Sequence, residues 1–98
     1  MKFTIVRNIF FHSPNTGLVA RHVCKEVNSE VAPQIGFEFE DSAWHRKDPI
    51  RAESISIDAA TGNCTVTLNP KEVGDAAEVE KVYQLVVQHH EWKSLSAI

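Results

Sequence analysis

Ninety-eight residues, 43% of them hydrophobic and 23% charged, suffice for one globular domain covering 1–98 and are too few for two. The composition lies well away from that of disordered chains. A formal net charge of −3 argues against a general nucleic-acid binder, which needs a basic face to neutralise phosphates.

No apolar run is long enough to span a membrane, and the start of the chain (Met1, Lys2, Phe3) lacks the apolar stretch of a signal peptide. A cytoplasmic protein is therefore expected, with Cys24 and Cys64 as reduced thiols.

Residues Lys2 to Phe11 are rich in β-branched and aromatic side chains and predict a first strand. Phe3, Ile5, Ile9 and Phe11 share one face, interrupted by Arg7, while Val6 and Phe10 occupy the other. Apolar groups on both faces point to an interior strand or to one covered on its second side. The cluster His12 to Gly17 (HSPNTG) predicts a turn.

From Leu18 to Val31 the spacing predicts a first helix: Val19, Ala20, Val23, Cys24, Val27 and Val31 fall within an arc of roughly 140°. Its four valines lower its helical propensity, so it would depend on packing. Pro33 and Gly36 end it. Phe37 to Glu40 (FEFE) alternates and predicts a short second strand with Phe37 and Phe39 inward.

The most legible stretch is Ala52 to Asn69. Ile55 and Ile57 alternate with serines, and Cys64, Val66 and Leu68 alternate with threonines and Asn69, as in strands wet on one face. Pairing Ile57 with Cys64 and Ile55 with Val66 sets apolar against apolar and leaves Ala59 to Gly62 as the loop, with Gly62 free to be left-handed. Asp75 followed by Glu78 is a capping-box start for a second helix, predicted to run to Trp92 or Leu95. Val79, Val82, Tyr83, Val86, Val87 and His90 form its core arc, whereas Leu85 and Trp92 lie on another sector, about 120° from Val79.

The elements thus follow the order βαβββα, and the expected fold is α+β: a two-layer sandwich of about four mostly antiparallel strands with two helices on one face. Its α-β-β-β-α segment is similar in topology to the double-stranded RNA-binding domain. The second helix, however, begins with Asp75, Glu78 and Glu80 instead of a basic cluster. The outward strand positions also lack the paired aromatics of an RNA-recognition sheet, so no family is assigned.

Excess apolar coverage of the second helix makes Trp44, Leu85 and Trp92 the candidate interface for a protein partner or a second copy, unless Trp44 itself folds over the other two. The loop Asp41 to Pro49 gathers reactive side chains, and Asp41, His45, Arg46 and Lys47 form a candidate loop site. With Ser42 as nucleophile and Asp48 orienting His45, that loop could serve a small enzyme. It has no Gly-x-Ser-x-Gly elbow or glycine-rich phosphate cradle, so no catalytic residue is assigned.

Trp44 beside His45, Arg46 and Lys47 could stack a base and hold a phosphate, a third role as a weak single-stranded nucleic-acid binder. Five histidines and two cysteines lack metal-ligand spacing, so neither metal nor other cofactor is expected. Both cysteines are expected to face the core, and a thiol enclosed there is a poor nucleophile. The leading expectation is a noncatalytic interaction or regulatory module of the cytoplasm, without a membrane or nucleic-acid partner.

Overall fold

The computed structural model describes residues 1–45 and 47–95. Strands account for 46% of it, and among the described residues there is one helix. The strands are β1 (Lys2–Ser13), β2 (Gly17–Asn28), β3 (Glu38–Phe39), β4 (Ile50–Ile57), β5 (Cys64–Leu68), β6 (Lys71–Glu72) and β7 (Lys93–Ser94); the helix is α1 (Ala76–His89). They build one curled, mixed sheet, a half-barrel with strand order β3-β4-β5-β1-β2-β7, while β6 joins β1 in parallel. The expected two-layer sandwich with two helices is overturned.

The difference lies in Gly17–Asn28. This segment is a strand, paired antiparallel with β1 in unbroken register from Lys2 opposite Asn28 to Ser13 opposite Gly17. Valines at 19, 23 and 27 are four apart, a spacing that fits one face of a helix and, being even, equally one face of a strand. The branched Cβ atoms favour the strand, and β1 supplies a partner of equal length. The Thr16 N–H donates to Ser13 Oγ at 3.1 Å, and Gly17 takes φ 71°, where a Cβ would be strained.

The hairpin of β4 and β5 has the predicted register, Ile57 opposite Cys64 and Ile55 opposite Val66, with an irregularity between Ala52 and Ser54. Asp58 Oδ1 accepts from the Ala60 N–H, and Gly62, at φ 77°, donates to the Asp58 carbonyl. Ile57 was expected to face the core, yet it is 66% exposed. It ends an outer strand, while α1 packs on β1 and β2, farther along the sheet. Phe39 meets Phe3 edge to face at 6.1 Å, whereas Phe37 is partly exposed rather than inward.

Helix α1 starts where the capping box places it. The Glu78 N–H donates to Asp75 Oδ1 at 2.7 Å, and Glu78 Oε2 accepts from the Gly74 N–H at 3.0 Å. Val79 and Val86 are buried against the sheet with Val82, Tyr83 and Val87 at their margins; each buried valine stabilises by about 1.5 kcal/mol or more. The helix stops at His89, short of Trp92. His90 and Trp92 both donate their N–H groups to the Val86 carbonyl, and Glu91 between them is left-handed at φ 64°. That reversal carries Trp92 into the core, where it is 1% exposed.

Cys24 and Cys64 are free thiols. Cys64 is buried in the core. Cys24 pairs with Val6 on the opposite face of the sheet, and burial pushes its thiol pKa up against the lowering influence of Lys93.

Candidate functional site

The sheet's one fully buried charge among the described residues is Arg7, at an inward position of β1 between Ile5 and Ile9. A buried cation is tolerated only when paired and hydrogen-bonded, and Arg7 is both. Its Nη2 and Nη1 donate to Asp48 Oδ1 and Oδ2 at 2.9 and 3.2 Å, and its Nε donates to the Asn69 carbonyl at 2.9 Å. The guanidinium lies 4.4 Å from the centre of the Trp44 ring. Lys71 Nζ reaches Asp48 Oδ2 at 3.1 Å. Burial disfavours the charged form of Asp48, but Arg7 and Lys71 outweigh it and hold the carboxyl below its ordinary range.

The other end of the loop has a matching fastening. Lys25, on β2, donates to Asp41 Oδ2 at 2.6 Å and to the His90 carbonyl at 3.1 Å. Asp41 Oδ1 accepts from Trp92 Nε1 at 3.0 Å and from the Ala43 N–H at 2.9 Å. Burial again opposes ionisation, and these donors, Lys25 foremost, lower the Asp41 pKa all the same. Between the two fastenings Trp44 packs edge to face on Trp92, 5.6 Å between ring centres. Ion pairs to two core strands and one aromatic pair therefore fix the path of the loop.

Beside it lies a cleft of about 570 Å³ whose walls include Glu38, Phe39, Glu40, Ser42, Trp44 and His45. Ser42 Oγ and His90 Nδ1 share a hydrogen bond of 3.0 Å at its margin. Trp44 Nε1 is buried without an acceptor among the described residues.

The structure gives these side chains other partners than the expected enzyme requires. His45 Nδ1 accepts from the Lys47 N–H, and Asp48 faces Arg7 and Lys71 rather than an imidazole. Ser42 meets His90, which the sequence placed on the core arc of the helix. Arg46 lies outside the described residues.

Of the three candidate interface residues, Trp44 and Trp92 are enclosed together, and Leu85 is 49% exposed on α1. They do not form one surface. The Trp44 ring, held between Arg7 and Trp92, is also not open to a base. Among the described residues no group of three or more His, Cys, Asp or Glu side chains is placed to hold a metal ion, and no helix is long and apolar enough to cross a membrane.

Sequence reasoning missed Arg7, Lys25 and His90 as partners of the loop. The usable signal was Arg7 itself, a cation on an otherwise apolar strand face. It missed the open side of β4 as well. β3 reaches only Ile50 and Arg51, and Ala52 exchanges backbone bonds with Gly36 and Phe37. Among the described residues nothing pairs with the outer side of Glu53 to Ile57.

Comparison with protein-family models, with curated proteins and with solved structures finds no match to this chain.

Proposed function

We propose that the protein is a noncatalytic interaction module of the cytoplasm that takes an extended polypeptide onto the open side of β4. The supporting observation is that stretch of unpaired edge with a 66% exposed isoleucine at its end. An edge strand is a template for another chain, and proteins commonly guard it with lysine, proline or a bulge. Residues 53–57 contain neither lysine nor proline, and the irregularity of β4 ends at Ser54, leaving the last four residues regular. The test is a titration of isotopically labelled protein with a soluble extended peptide of alternating valine and threonine. Amide shifts concentrated on 53–57 are expected; shifts elsewhere, or none, would contradict the reading.

The Ser42 and His90 contact supports a second reading, a hydrolase at the cleft, because a nucleophile and base within hydrogen-bond reach is the first requirement of acyl transfer. Asp41 is committed to Lys25, Trp92 and Ala43, so it does not orient His90. Turnover of a p-nitrophenyl ester lost in both Ser42→Ala and His90→Gln would favour this reading; equal rates in all three proteins would remove it.

A further inference from the structure

We infer that the chain received by β4 is a second copy of this protein, the two β4 strands pairing antiparallel about a two-fold axis at Ser56. The inference rests on the edge reading above and adds the partner and the register. Backbone groups alternate sides along a strand. The Asp58 N–H donates to the Asn63 carbonyl, towards β5; Ser56 and Ser54 therefore turn their backbone groups to β5, and Ile55 and Ile57 present theirs to the open side.

With Ser56 opposite Ser56 of the partner subunit, Ile55 stands opposite the partner's Ile57 and Ile57 opposite the partner's Ile55. Each pair exchanges two backbone hydrogen bonds, four in all. The isoleucine side chains share the face that carries Cys64 and Val66, so the exposed surface of Ile57 is covered by an apolar neighbour from the other copy.

Charge selects this register over its neighbour. Ser54 faces the partner's Asp58 and Glu53 faces the partner's Ala59, so no carboxylates oppose one another. Centring the axis on Ile55 would instead set Ile57 against the partner's Glu53. The edge is thus complementary to itself, apolar to apolar and hydroxyl to hydroxyl, as an isologous interface requires. Four backbone bonds and two isoleucine pairs make a contact smaller than the roughly 1,000 Å² of a stable interface, so the association is weak and concentration-dependent.

The Ser56 pair is of the kind without hydrogen bonds, Cα atoms about 4.5 Å apart, within reach of a disulfide. Two Ser54 residues would be four positions out of register, about 13 Å apart. In the 98-residue chain carrying Cys24→Ser, mild oxidation is expected to convert Ser56→Cys to a covalent dimer and leave Ser54→Cys monomeric.

Light scattering of the unaltered chain should show a mass rising above 11.0 kDa with concentration. Ile57→Lys should abolish the rise without lowering the thermal midpoint, and Leu85→Lys should leave it intact. A mass fixed at 11.0 kDa at every concentration, or equal crosslinking at 54 and 56, would overturn the proposal. If the valine-threonine peptide still shifts the β4 amides while the mass stays fixed, the second copy is excluded and the edge reading stands. If neither occurs, both fall.

Discussion

Arg7 and Asp48, 41 positions apart in the chain, meet in a two-pronged ion pair in which the arginine side chain is wholly enclosed and the carboxylate is 23% exposed. The loop 41–48 follows its path because the core of β1 holds a charge that requires a counter-ion. Removing either partner should therefore have unequal effects. Asp48→Ala strands a buried guanidinium and is expected to cost about 3 kcal/mol. Arg7→Met fills the space with apolar atoms and leaves Asp48 to Lys71, so it should cost less. Urea unfolding of the two variants checks the order.

Acid should weaken the fold through the same loop. Asp41 and Asp48 both have pKa values lowered in the folded chain, so in acid the unfolded state binds protons first. Their contribution is complete above the unfolded carboxylate value near 4 and is lost as pH falls through the lower folded values. Unfolding midpoints should be flat from neutrality to about pH 5 and then decline. Asp41→Asn and Asp48→Asn should each be less stable at neutral pH and show a shallower decline.

The two tryptophans should respond differently to phenylalanine. Trp92 Nε1 donates to the ionised Asp41, whereas Trp44 Nε1 has no acceptor among the described residues. Loss of a hydrogen bond to a charged group costs about 1.5–3 kcal/mol, so Trp92→Phe should destabilise more than Trp44→Phe. Denaturation followed by far-ultraviolet circular dichroism keeps the readout independent of tryptophan fluorescence.

At the start of α1, Asp75→Ala removes the acceptor for the Glu78 N–H and should cost about 1 kcal/mol, and Asp75→Gly only a few tenths. Thermal melts of the two variants measure the difference. Equal losses would mean that the missing side-chain acceptor, absent from both variants, carries the whole effect.

Where local signals agreed with one another, the chain was readable. The β4–β5 register followed from alternating isoleucines meeting alternating Cys64, Val66 and Leu68, with Gly62 at the turn exit, and the Asp75 and Glu78 pair marked the helix start. Where one pattern served two periods, it was not: valines four apart in 19–27 satisfy helix and strand alike, and pairing with β1, a contact between distant residues, decided the matter.

The helix end was hidden for a different reason. Its reversal uses Glu91 at positive φ, with no glycine or proline to announce it, so the sequence pattern alone puts Trp92 on the helix instead of beneath it. The candidate site suffered accordingly. Its loop is recognisable, but the partners that fix it come from three other places in the chain: Arg7 on β1, Lys25 on β2, and His90 and Trp92 in the reversal after α1.

The claim that β4 is an open docking edge is tested most directly by amide hydrogen exchange along Ser54 to Ile57 at low and high protein concentration. In dilute solution Ser54 and Ser56, whose amides face β5, should exchange slowly and Ile55 and Ile57 fast; at high concentration the isoleucine amides should become protected. Protection of Ile55 and Ile57 already in the dilute monomer, equal to that of the serines, would contradict that claim.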